Sequence, residues 1–394
     1  MINQINSNYI WLTVNSFIRF HVTEFQVTGE SALIGGYFNR VPLVLHFNIT
    51  TGQSRVLPGL FNEEGELTQI KTYPDGTFQV LISAQGFTRE RMLWIKNYSP
   101  DGMLIDNYAL KSEDRKTLIF GRSIKSLNNM QIVAGVYGTR SRDYSRGIFI
   151  ATIDPNGMQQ LKYYNYGDLQ NFFNYMKARR ENRIKERIER RKIEGKKVKF
   201  NYRILVHEVI EHNGQYIMLG EAFYPQYKSV SATGYSGFFR PYTNYGRSFV
   251  RGDQIFEGFQ YTHAVIIGFD KDGKLLWDNS FEINDVKTFT LEQFVRLEVQ
   301  DDKIVLLYLF ENKIRTKIIQ DSKVLEGKSI DPIRTLHEQD VALKDNSAVS
   351  QMNYWYDENF YAFGTQSLIN VGDSEVVPKR RVFFINKISY NKFP

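Results

Sequence analysis

The chain reads as an all-β protein, a β-propeller of about six four-stranded blades. Three observations predict this. A unit of roughly fifty residues recurs along the sequence, the period of a propeller blade. Each unit carries hairpins whose turns combine Asp, Asn, Thr or Pro with Gly. The composition, 29 Phe and 24 Tyr against 10 Pro, suits strands. A blade cannot bury both its faces alone, so stacking into a ring would supply the core and make residues 1–394 one domain. A β-sandwich is the rival all-β architecture, but it does not usually repeat one four-strand pattern six times.

Taken in order, the first inner strand begins near Phe17. Residues Tyr9 to Val14 (YIWLTV) are then free to supply the outer strand of the last blade, whose third strand (VFFINKISY, 382–390) ends the chain. Pairing the two termini would close the ring and cover an exposed edge. The count becomes seven if a further blade lies upstream of Met1. The outer hairpins are LVLHFNITTGQSRVL (43–57), MLWIKNYSPDGMLIDNY (92–108), IFIATIDPNGMQQLKYY (148–164) and AVIIGFDKDGKLLWDNSF (264–281). Their turns place Gly52, Gly102, Gly157 and Gly273 where a positive φ is needed. Before them come apolar strands ending in small residues, such as SALIGGYF (31–38), MQIVAGVYG (130–138) and YIMLGEAF (216–223).

Two units are stretched, each by about thirty-five residues over the repeat length. The first excess, 165–200, joins the outer strand of the third blade to the inner strand of the fourth. Phe172, Met176, Ile184 and Ile188 fall on a spacing of four and predict a helix, with Asp168 able to cap its start and Gly195 ending it. From Lys177 to Lys199 there are twelve Lys or Arg and four Glu, a local net charge of +8. The remaining chain has 50 − 12 = 38 basic and 43 − 4 = 39 acidic residues, so one segment carries the whole basic excess. The second excess, 224–261, is rich in Tyr, Phe, Gly, Ser and Arg, a composition that makes adaptable recognition surfaces. In a four-stranded meander these two connections leave from the same face, so the inserts should stand side by side. If they are peripheral, deleting 168–198 should leave the propeller folded.

The absence of Cys excludes disulfides, iron–sulfur clusters, thiolate zinc sites and a cysteine nucleophile. His207 and His212 are five residues apart on an expected strand, so they miss the helical HExxH spacing of a metalloprotease. Asp270-Lys271-Asp272-Gly273 lacks the later ligands of a calcium loop and reads as a hairpin turn. Arg251-Gly252-Asp253 spells an adhesion tripeptide that is too short to carry a function. No phosphate loop or nucleophile elbow is present, and neither a metal nor a cofactor is expected. No run of eighteen apolar residues predicts a membrane-spanning helix, and residues 1–16 lack the pattern of a signal peptide.

The chemistry these residues suit is recognition. Arg140, Arg142 and Arg146, with Tyr227, Arg240, Tyr242, Tyr245, Arg247 and Arg251, would form an aromatic–cationic surface, flanked by Lys177, Arg180, Arg183 and Arg187 of the basic helix. Arginines suit bidentate contacts to carboxylate or phosphate, and tyrosines suit stacking. The hairpin at 264–283, with its D-x-D-G-x-x-x-W turn ending in Trp277, resembles the outer hairpins of quinoprotein-type propellers. The other copies lack that Trp, so no cofactor is carried over. Residues 200–227 together with 261–283 are similar to uncharacterised envelope proteins of Bacteroidota, which implies a periplasmic or outer-membrane-associated home. The leading expectation is a non-catalytic binding or scaffold subunit at the bacterial cell envelope, with a protein partner or an anionic lipid or polysaccharide. A propeller enzyme or lectin acting on a polysaccharide, and nucleic-acid binding through the basic helix, are the alternatives.

Overall fold

The structure, a computed structural model, describes residues 20–59, 64–85, 91–112, 116–125, 130–139, 144–196, 198–229, 254–343, 350–356, 359–370, 372 and 376–389. Six antiparallel sheets follow one another along the chain. Sheet 1 comprises Phe20–Thr28, Ser31–Phe38, Val41–Asn48 and Ser54–Val56. Sheet 2 comprises Gly65–Thr72, Phe78–Gln85, Arg91–Tyr98 and Leu104–Leu110. Sheet 3 comprises Lys116–Lys125, Gln131–Thr139, Gly147–Ile153 and Gln159–Asn165. Sheet 4 is built on Arg203–His212, Gln215–Ser229, Gln254–Phe269 and Leu275–Glu282, and the short strand Lys287–Thr288 pairs with its third member. Sheet 5 comprises Arg296–Gln300, Lys303–Phe310, Lys313–Gln320 and Lys323–Pro332. In sheet 6 the first position is split into Asp340–Ala342 and Ser350–Tyr356, both paired with Asn359–Asn370, which in turn pairs with Lys379–Ser389.

The turn glycines behave as the hairpin motif requires: Gly52, Gly102, Gly157 and Gly273 have φ of 71°, 72°, 82° and 74°. Trp277 is explained by packing. It stands opposite Gly268, where a Cβ would come within 2.2 Å of the indole, and its Nε1 donates to Gln215 Oε1 at 2.8 Å.

Successive sheets pack face to face. Leu33, Tyr37 and Val44 of sheet 1 share a core with Leu67, Ile70, Val80 and Ile82 of sheet 2. Leu81, Leu93 and Ile95 of sheet 2 meet Leu118, Val133 and Phe149 of sheet 3. The largest core joins sheets 3, 4 and 5, and Val305, Leu307 and Ile318 of sheet 5 meet Met352, Phe360 and Phe384 of sheet 6. Gly35 keeps the first interface tight, because a Cβ there would come within 2.5 Å of Leu67 and 2.7 Å of Ile70. Packing of meanders in chain order is the building plan of a propeller.

The stack is radial, and one arginine shows it. Arg122, on the first strand of sheet 3, donates Nη1 to Glu24 Oε1 of sheet 1 at 3.2 Å and Nε to the Val206 carbonyl of sheet 4 at 3.1 Å. Glu24 Oε2 also accepts the Ile70 amide of sheet 2 at 2.6 Å. In a linear stack, with sheets about 10 Å apart, sheets 1 and 4 would be about 30 Å from each other. A single side chain can bridge them only where the first strands converge on an axis. Those strands share a bulge: the register slips at Val22/Glu24, Leu67/Gln69 and Val206/Glu208, and in sheet 3 opposite Val136/Tyr137. Bulges re-aim side chains, and here one sets Glu24 into the hub. The expectation that Tyr9 to Val14 completes sheet 6 falls outside the described residues. Among the described residues, Lys379–Ser389 has no strand on its outer edge.

Candidate functional site

The connection from sheet 3 to sheet 4 has two parts, a buried foot and an exposed helix. The foot starts at the short 3₁₀ turn Tyr166–Asp168. Asp168 caps this turn: its Oδ2 accepts the Asn165 amide at 3.0 Å. That corrects the expected role of Asp168, because the α-helix α1 begins ten residues later and spans Ala178–Ile193. Lys177 is its N-cap, with no side-chain capping bond. Phe172 and Met176 therefore lie in the foot and not on the helix. The C-terminus runs as predicted. Gly195 has φ of 66°, its N–H donates to the Lys192 carbonyl, and the Lys196 N–H donates to the Arg191 carbonyl. This is the Schellman arrangement that ends a helix on a left-handed glycine.

The foot fills the wedge between sheets 3 and 4. Tyr166, Leu169, Phe172 and Phe173 are all buried in the largest core. Asp278, on the outer strand of sheet 4, accepts the amides of Gln170 at 2.8 Å and Asn171 at 2.7 Å. Asn171 Nδ2 donates back to the Asp278 carbonyl at 2.9 Å, and Ser280 Oγ donates to the Asn171 carbonyl at 2.8 Å. Burial raises the Asp278 carboxyl pKa, and these two amides oppose the shift. The foot is thus part of the core, which reverses the expectation that 168–198 is peripheral.

The foot also reaches the base of the second insert. The Tyr175 ring stacks on His263 with centroids 3.7 Å apart and planes 7° from parallel. Phe172 meets the same imidazole edge-on at 5.0 Å, and Tyr202 meets it at 5.9 Å. The Tyr175 and Tyr202 hydroxyls are 3.2 Å apart. Ser145 forms a reciprocal backbone bridge with Tyr202. These contacts join the sheet 3 loop, the foot and the third strand of sheet 4.

His263 is fully buried, and burial lowers its pKa to about 3. The unfolded chain, with an ordinary imidazole near pH 6.5, takes up a proton that the folded chain refuses between those values. Stability should therefore fall as pH drops from about 6.5 toward 3, by up to ~1.4 kcal/mol per pH unit from this group. We expect a Tm that decreases on acidification, and a His263→Gln variant with a shallower decrease. Equal slopes in the two proteins would exclude His263 as a source of acid sensitivity.

The second insert is less of a loop than its composition suggests. Its two ends are strands that extend sheet 4 to Ser229 and resume it at Gln254. Tyr227 is half-buried and meets Phe256 edge-on at 5.7 Å, and Phe256 in turn packs on Phe259 at 4.9 Å.

Of the expected recognition residues, Arg140, Arg142, Arg240, Tyr242, Tyr245, Arg247 and Arg251 lie outside the described residues. Arg146 has a structural task, since its Nη1 donates to the Phe200 carbonyl at 3.2 Å and fixes the returning chain. Arg180, Arg183 and Arg187 are exposed on α1, as are Arg179, Arg190 and Arg191, which the sequence reading did not single out. At 100° per residue, all six arginines fall in an arc of about 120°. Ile184 and the buried Ile188 border this arc and seat the helix on the body. Among the described residues the one ion pair within α1 is Lys185 Nζ with Glu181 Oε1, at 2.6 Å. None of the six arginines has an ion-pair partner there. Behind the helix, Asn165, Gly167, Asp168, Ile188, Lys192, Gly195, Lys196 and Val198 line a cleft of about 220 Å³.

His207 and His212 have separate surroundings. His207 Nε2 is 3.0 Å from Glu221 Oε2 in the interior, while His212 Nε2 meets the Asp301 carbonyl at the surface. Glu221 is itself held by the Val295 amide at 2.5 Å and the Phe294 amide at 3.1 Å.

No family model matches the chain, and no curated protein matches it. Solved structures do resemble it at low identity. A polysaccharide lyase is 9% identical with a TM-score of 0.37, over 99% of this chain and 93% of that one. The β-propeller domain of the trilobed protease from Pyrococcus furiosus is 10% identical with a TM-score of 0.30, over 92% of this chain and 97% of that one. A prolyl endopeptidase is 11% identical with a TM-score of 0.39, and the match takes in 95% of this chain but 43% of the endopeptidase. The functional reading therefore rests on the residues of the chain itself.

Proposed function

We propose that the chain is a six-bladed propeller acting as a non-catalytic binding or scaffold subunit, and that it recognises an anionic partner through the arginine face of α1. The observation that carries this reading is the set of six exposed arginines on one arc, none ion-paired among the described residues, on a helix anchored by a buried foot. A merely solvated surface helix would intersperse its charges and pair them across i,i+4 steps. Here Glu186 and Glu189 fall outside the arc. Uncompensated charge on a fixed support raises the local potential and speeds encounter with an oppositely charged partner. The axis, where a propeller enzyme would open its pocket, is occupied by the Glu24–Arg122 pair, and Asp168 is the one carboxylate lining the cleft beside α1. That favours binding over glycoside hydrolysis, which canonically uses two facing carboxyl groups. The likeness of 200–227 and 261–283 to envelope proteins supports a location at the bacterial cell envelope. No helix among the described residues is long and apolar enough to cross a membrane.

The test is binding to soluble polyanions across a salt series. Polyglutamate, heparin and a single-stranded oligonucleotide serve as probes, with R183E/R187E as the variant. At least one probe should bind the unaltered protein, weaken steeply as salt rises, and weaken at least tenfold on charge reversal. The variant should keep its Tm, because both side chains are exposed. If no probe binds, or if the variant binds equally well, this reading is wrong.

A further inference from the structure

The arginine face has a repeat, and the repeat selects among anionic partners. We infer that its occupant is an acidic α-helix of a partner protein, lying alongside α1 with carboxylates every fourth residue. This rests on the anion-binding reading above and names the partner class. Arg179, Arg183 and Arg187 succeed one another at four-residue steps, and Arg190 continues the row at three. With a rise of 1.5 Å per residue, the steps are about 6 Å and the row spans about 17 Å. A second helix bearing Glu or Asp at i, i+4 and i+8 repeats at the same ~6 Å, so each guanidinium meets one carboxylate without strain. A β-strand repeats on one face at about 6.6–6.8 Å and drifts by about 2 Å over three steps. Phosphates of one duplex strand rise by about 3.4 Å and share that mismatch. A lipid surface has no repeat to match.

Residue type points the same way. All six cations of the arc are arginine, while lysines occur off it, at Lys185 and Lys192. Membrane and nucleic-acid surfaces recruit Lys and Arg alike. Protein interfaces enrich Arg and deplete Lys. The arc is also bordered on one edge by the partly exposed apolar side chain of Ile184. Such a margin fits an interface that is apolar along one edge and charged along the other, as in the flanks of a coiled coil.

The experiment uses the full chain and four probes. The first is a 16-residue alanine-based helical peptide with Glu at every fourth position. The second has the same composition, with its four Glu at every second position within one half of the peptide. The others are a 16-nucleotide single strand and phosphatidylglycerol vesicles. We expect the first peptide to bind at least tenfold more tightly than the second and more tightly than the other two probes. R183E/R187E should lose that binding and gain affinity for a peptide with Lys in place of Glu. Equal binding of the two peptides overturns the helical register, and tighter binding of the oligonucleotide or the vesicles overturns the partner class. Both results leave the anion-binding reading standing. Failure of all four probes removes that reading as well.

Discussion

Replacing Arg122 with Ala should cost about 3–5 kcal/mol, because it leaves Glu24 as a largely buried carboxylate without its cation. Both side chains are 19% exposed, so solvent screens the pair only in part. The loss goes beyond one ion pair. The Val206 carbonyl of sheet 4 loses its donor, and sheets 1, 3 and 4 lose their common tie. The measurement is the free energy of unfolding from a denaturant titration. E24Q/R122M, which removes both charges, should recover a large part of the loss, since a matched neutral pair carries no uncompensated charge. A loss below about 1 kcal/mol in Arg122→Ala, the range of an exposed pair, would show that the hub does not bind the sheets together.

Phe172→Ala should be comparably destabilising, by about 3–5 kcal/mol, through the cavity left in the largest core. The ring is fully buried and touches Tyr166, Phe173, Tyr202 and His263. Arg183→Ala on the exposed face should stay within about 0.5 kcal/mol. The contrast extends to deletions. Removing 168–198 takes Leu169, Phe172 and Phe173 out of the core and leaves the Asp278 carboxylate without its two amides, so this chain should fail to fold. Replacing only the α1 residues 178–193 with a short flexible loop should give a folded protein that no longer binds polyanions. Circular dichroism and thermal unfolding of the two deletions separate foot from helix. A cooperative transition in the longer deletion near that of the intact chain would sink the argument.

Features set by neighbours in the sequence were legible in advance. The four hairpin glycines, the helix stop at Gly195 and the fifty-residue repeat depend on residues a few positions apart. The +8 charge run was equally plain. Its organisation was not, because sorting six arginines onto one arc requires knowing that the helix starts at Ala178. The four-residue spacing of Phe172, Met176, Ile184 and Ile188 suggested one continuous helix, but apolar spacing does not reveal where a chain turns. The first two belong to a foot whose partners are Tyr166, Tyr202 and His263. Asp168 looked like a helix cap and caps a tighter turn, because Asn165 is close enough to close a box with it. The stack of Tyr175 on His263, the amides on Asp278 and the bond from Arg146 to Phe200 join residues that local patterns do not connect. Gln170 and Asp278 are 108 positions apart, and Glu24 and Arg122 are 98 apart.

That separation has a consequence during synthesis. Glu24 leaves the ribosome well before its cation does. At about 5–20 residues per second, the wait is on the order of 5–20 s. Val206 follows Arg122 by another 84 positions, so the hub is complete only once more than half of the chain has been made. In the interval a nascent chain holds a carboxylate beside half-built sheets, with Leu81, Leu93 and Ile95 of sheet 2 still without their partners in sheet 3. A chaperone would find its most exposed client just before Arg122 emerges, and a pause in translation between sheets 2 and 3 would lengthen that exposure more than a pause anywhere after sheet 4.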